Sequence, residues 1–226
     1  MPRFTSLIAT LLAAVSLCGA ALAADDYSAA ERALFMTNHL AGIKPPATLN
    51  YSFAKSGSLE EGFQDKVAVL LKPQPGGKCC LAEAEFLSGA RRLSLPEIDQ
   101  AEGNPAVLYF LERDIREMNR LTKGAQNYFR KRIRMAVYQG AKIEDVTVSY
   151  RGKDVPAREI RIAPYIDDPL RERFKNLWNK SYIFTLSDAV PGGVYAIRTR
   201  VEAETAGAAP LILEEMVLDG GLASKR

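Results

Sequence analysis

The stretch that decides the fold is GNPAVLYFLERDIREMNRLTKGAQNYFRKRIRMAVYQG, Gly103 to Gly140. Its apolar residues recur at helical spacing rather than alternating. Asn104 is placed to cap a first helix, and Pro105 suits the opening position, where a missing N–H costs nothing. Leu108, Leu111, Ile115 and Met118 mark one face, and Gly124 closes the helix. A second helix follows and ends at Gly140. Its stripe is Phe129, Ile133, Ala136 and Val137.

On both sides of this pair the period changes to two. Before it, ATLNYSFAKSGS places Leu49, Tyr51 and Phe53 on one side and Asn50 and Ser52 on the other. GFQDKVAVLLKP repeats the pattern, QPGGK is a turn, and LAEAEFLSG and RRLSLPEI read as two more short strands. After it, a hairpin turns at Arg151-Gly152-Lys153. Val146, Val148 and Tyr150 face one way, with Ile160 and Ile162 expected to mirror them. A second hairpin turns near Pro191-Gly192-Gly193, and PLILEEMVLDG is the last strand. YSAAERALFMTNHLAGI reads as a leading helix stopped by Gly42 and Pro45-Pro46. DDPLRERFKNLW reads as a short helical stretch. Alternation gives about nine strands. Hairpins dominate, so the sheet is expected to be antiparallel, and the helix pair must bury its apolar faces on it. The expected class is α+β: a curved antiparallel sheet, with a half-barrel as its limiting shape, packed against helices.

The first residues, MPRFTSLIATLLAAVSLCGAALAADD, have the layout of a secretory signal peptide: Arg3, an apolar run from Leu7 to Leu22, then Ala21-Leu22-Ala23. Leu17 before Cys18 is not the small residue a lipobox wants, so cleavage is expected after Ala23. The division is then 1–23 signal peptide, 24–220 a single α+β domain and 221–226 a disordered tail. About 203 residues remain, one domain by length. No later segment is long and apolar enough for a transmembrane span. The expected location is the periplasm.

Function classes are narrowed by what is present. Arg130 to Arg134 contains four cations in five residues, which invites a nucleic-acid reading. Removing Arg3 lowers the formal charge only from +3 to +2, and export removes the usual target, so no nucleic-acid partner is expected. The charges have a simpler use. An antiparallel packing of the two helices is expected to bring Glu112, Asp114 and Glu117 near these cations, which spread over the second helix's outer side. Anionic lipid headgroups are the alternative.

Motifs for catalysis are missing: no G-x-S-x-G, H-E-x-x-H, C-x-x-C or phosphate loop occurs. His39 is the only histidine and reads as structural near a helix end. Asp167-Asp168 reads as a cap before Pro169. Glu214-Glu215 lies on a strand, so its members point to opposite faces. Cys79 and Cys80 are adjacent, and with so few other ligands they read as a buried thiol beside an exposed one rather than a metal site. No cofactor or metal is expected. Tyr51, Phe53, Val67, Val69, Val148 and Phe184 are the candidate lining of an apolar groove for a lipid or acyl chain.

The segments GNPAVLYFLERDIREMNRLTKG, NYFRKRIR and SDAVPGGVYAIRTRV resemble an uncharacterised family of exported proteobacterial proteins, a likeness that spans most of the mature chain and implies no activity. The element order also resembles, in architecture only, periplasmic lipoprotein carriers. Three readings follow. The first is a non-catalytic periplasmic protein binding a hydrophobic ligand or a partner chain in its concave sheet. The second is an envelope structural or interaction module engaging another envelope protein. The third is a hydrolase using His39 and a nearby carboxylate.

Overall fold

The computed structural model describes residues 27–76 and 79–222. The signal-peptide reading, and the end of the tail, lie outside these residues. The fold is α+β, built on one open, wholly antiparallel sheet of eight strands. A first meander holds β1 (Ala47–Ser56), β2 (Phe63–Lys72) and β3 (Leu81–Phe86). A second holds β4 (Lys142–Tyr150), β5 (Lys153–Ile162), β6 (Ser181–Leu186), β7 (Val194–Val201) and β8 (Ile212–Leu218). β1 pairs with β8, so the order is β3-β2-β1-β8-β7-β6-β5-β4.

This order dictates where the helices go. β3 and β4 are the two edges of the sheet, and they are consecutive in the chain. Their connection carries α2 (Ala106–Thr122) and α3 (Gln126–Gln139). A link from one edge to the other has to span the sheet's width, and it buries two apolar stripes in doing so. Met118, Phe110, Phe129 and Val137 are all fully buried. α1 (Ala29–Glu31) carries a capping box between Ser28 and Glu31 and continues as a wider π turn, Arg32–Met36.

Four expectations are corrected. The sheet has eight strands, not nine: RRLSLPEI touches β3 only at two isolated bridges, Phe86↔Leu93 and Ala82↔Ile98. Pro96 lies between them and has no N–H for a ladder. The leading helix stops at Met36 rather than Gly42, because Thr37 turns extended while its N–H and hydroxyl both bond the Arg32 carbonyl. Leu108 is 48% exposed; the buried stripe of α2 runs instead through Val107, Phe110, Leu111, Asp114, Ile115 and Met118. Cys79 and Cys80 are joined to each other as a disulfide rather than standing as separate thiols.

Candidate functional site

The inner face of the sheet is laid out in transverse rows, because residues directly opposite in antiparallel strands share a face. One row is Phe53, Met216, Ile197, Phe184 and Ile160, entirely apolar. The next row breaks the pattern. Lys55 of β1 lies opposite Glu214 of β8, which lies opposite Thr199 of β7, which lies opposite Tyr182 of β6. Four adjacent strands thus present polar groups in register on a face that is otherwise core.

Helix α2 answers this row from above. Arg113 places Nη1 2.6 Å from Glu214 Oε1, a contact of charges off the hydrogen-bonding angle, and stacks its guanidinium 5.1 Å over the Phe53 ring. Thr199 donates to the other Glu214 oxygen at 3.2 Å. Asp114 accepts from Lys180, just before β6, and from the Tyr182 hydroxyl at 2.6 Å. Lys55 bonds Glu117 at 2.9 Å and Glu60 at 2.7 Å, and Arg120 clasps the same two carboxylates. Asp114, Lys180 and Glu214 are inaccessible to solvent.

The electrostatics hold each group in one state. Burial pushes the Glu214 carboxyl up, but Arg113, then Lys180 and Lys55, outweigh it and keep it below the usual carboxylate range. Burial likewise opposes ionisation of Glu117, and its bonds to Arg120 and Lys55 win. Burial, reinforced by the Asp114 charge, drives the Tyr182 hydroxyl far above its ordinary value. Glu117 and Glu214 are therefore anions, and Tyr182 is a neutral donor.

At its Lys55 end the row meets a cleft of about 590 Å³ between the β1–β2 turn, the segment after β3, and α2. Phe63, Leu87 and Leu93 supply its apolar wall, and Arg91, Arg116 and Glu61 its rim. The Arg91 guanidinium sits 4.4 Å over the Phe63 ring.

The residues singled out from sequence fall as follows. Tyr51, Phe53, Val67, Val69 and Phe184 share the inner face and are buried beneath the helix layer. Val148 does not join them. Its partner is Val155, and it lies five residues from Ile143, the partner of Ile160, so it points to the other face of its hairpin. His39 accepts the Asn104 N–H on Nδ1 at 3.2 Å, and its ring packs on the β6–β7 turn at Gly193, where φ is +70° and a Cβ would lie 2.8 Å from the imidazole. Burial lowers its pKa; the Ala33 carbonyl and the Asp188 charge act the other way. Asn104 ties the same corner together. It donates to Tyr51 Oη at 2.9 Å and the Gly192 carbonyl at 2.7 Å, and it accepts Ala106 N–H at 2.9 Å. Asp168 accepts from the Tyr128 hydroxyl and Leu170 N–H and lies in ion-pair contact with Arg132 at 2.7 Å, anchoring α3 to the segment before β6. Glu215 faces away from Glu214 and pairs with Arg198.

The polar row itself escaped the sequence reading, although a signal was there. Lys55 is in phase with Leu49, Tyr51 and Phe53; Glu214 is in phase with Ile212 and Met216; Asp114 sits inside the apolar stripe of α2. A charge at a position where the period demands an apolar residue marks a buried pair. Among the described residues no cluster of His, Cys, Asp or Glu is arranged to hold a metal ion, and no helix is long and apolar enough to cross a membrane. No protein-family model matches the chain, and no curated protein matches it.

Proposed function

We propose that the protein is a non-catalytic binding protein of the periplasm, which holds a lipid-like molecule or an apolar segment of a partner chain between its helix layer and a curved, half-barrel-like sheet. The observation that carries the reading is the polar row. It separates an apolar floor, formed by Phe53, Met216, Ile197 and Phe184, from a charged cleft between α2 and the β1–β2 turn. That sequence of environments suits an amphiphile once α2 lifts from the floor it now covers: a tail on the floor and a polar head at Lys55 and Arg113. Buried ion pairs add little stability over apolar packing of the same shape. α2 therefore gives up little by being latched through charges, and a latch of charges can exchange its partners for a ligand's.

Catalysis is not part of the proposal. Glu214 and its neighbour Glu117 are pushed below the usual carboxylate range and Tyr182 far above its ordinary value, the opposite of what a general acid or base near pH 7 needs. His39 has Nδ1 engaged by a backbone N–H, and no carboxylate hydrogen-bonds it among the described residues.

Native mass spectrometry of protein purified without detergent tests the reading, paired with titration of a fluorescent acyl-chain probe. A retained mass in the lipid range, or saturable probe binding weakened by Phe63→Ala at the cleft wall with the fold intact, is expected. An apo mass together with no probe binding overturns it.

A further inference from the structure

The four cations of α3 do not share one fate. Arg130 is clasped by Glu112, with bonds of 2.8 and 3.0 Å. Arg132 donates to the Pro164 carbonyl and is ion-paired with Asp168. Lys131 and Arg134 are exposed and make no ion pair among the described residues. They stand three residues apart, and Tyr138, 51% exposed, follows four residues later, so the three share one side of the helix. The Ser28 hydroxyl donates to the Val137 carbonyl at 3.2 Å, which brings its neighbour Tyr27, 50% exposed, to the same corner. Phe35 and Met36, on the turn that continues α1, are exposed as well. The one acid of that first turn, Glu31, is spent on the Ser28 N–H.

We propose that this corner, Lys131 and Arg134 with Tyr138 and Tyr27, docks the protein on an anionic lipid surface. The charge argument is direct: α3 carries four cations and no anion, and the two left without partners both point outward. The ring argument is independent of it. Tyrosines rest at headgroup depth because their rings are amphipathic, so exposed rings beside cations suit a bilayer interface. Two cations and two rings make a weak contact, reversible and sensitive to salt, which is the behaviour required of a protein that visits a membrane rather than residing in it. The inference does not depend on what the interior binds.

Vesicle flotation tests it, using protein recovered from the producing cell with its N-terminus verified by mass. The vesicles are phosphatidylcholine with and without phosphatidylglycerol. Binding to the anionic vesicles alone, lost at high salt, is expected. Affinity should fall about fivefold for Arg134→Gln and about twenty-five-fold when Lys131→Gln is added. Lys153→Gln at the start of β5, equal in net charge to Arg134→Gln, should change it little. Thermal melts confirm that the variants fold. Equal binding to neutral vesicles, no binding to either, or equal losses for Lys153→Gln and Arg134→Gln would each overturn the proposal, the second directing attention to an acidic protein partner instead.

Discussion

Helices α2 and α3 are neighbours, joined by three residues, and both are rich in charge, yet they use it oppositely. α2 mixes signs and turns three charges inward: Arg113 to Glu214, Asp114 to Lys180, Glu117 to Lys55. α3 carries only cations and turns just one of them, Arg132, partway inward, to Asp168. The difference teaches what permits a buried charge. A lone ion in the interior costs several kcal/mol, so it enters only where the opposing element already supplies its counterion. The sheet under α2 supplies Lys55, Glu214 and Lys180. Under α3, Tyr165 and Phe174 pack on Phe129, and the counterion offered there, Asp168, meets only Arg132 at the margin of the helix.

The harshest way to break this comparison is to remove one partner under α2. Asp114→Ala strands the Lys180 ammonium and the Tyr182 hydroxyl, and a loss of about 3–5 kcal/mol is expected in urea unfolding. The double variant Asp114→Leu with Lys180→Met should recover most of it, within about 2 kcal/mol of the starting protein. A single variant costing less than a surface pair would show that the charges under α2 are not locked.

Acid offers a second test. The folded carboxyls of Glu60, Glu117 and Glu214 lie below their ordinary value of 4.5, so the unfolded chain binds more protons in that range. The stability they add is complete above pH 4.5 and is lost as pH falls through their folded values. Denaturation midpoints should drop steeply there, and Lys55→Met should blunt the drop.

Asn104→Ala removes three bonds at the corner where α2 begins, and about 1–3 kcal/mol should go with it. His39 at the same corner predicts a shallower step. Its folded pKa lies below 6.5, so stability is full above pH 6.5 and declines as pH falls from there toward the folded value. His39→Asn should erase that step and leave the steeper one in place.

The smallest effects belong to α3. Arg130→Ala should cost about 0–1 kcal/mol, as an exposed pair does. Lys131→Ala should stay within about 0.5 kcal/mol. A large loss at Lys131 would mean that α3 hides a partner and would erase the contrast between the helices.

Local pattern carried much of this protein. The change from period two to helical spacing at Gly103 and back after Gly140 placed both helices, the Asn104 cap and the hairpins, since these depend on neighbours in the chain. Glu112 meeting Arg130 followed from two helices joined by a short turn. Other features belong to the tertiary structure alone. RRLSLPEI has the alternation of a strand but too few partners to become one. Val148 reads as core, yet the register of its hairpin turns it from Phe184. Lys55, Glu214, Thr199 and Tyr182 are scattered over 160 positions of sequence, and only the antiparallel register of β1, β8, β7 and β6 sets them side by side. Period tells which way a side chain points. What it meets there depends on strand order, which is set by contacts between residues far apart in the chain.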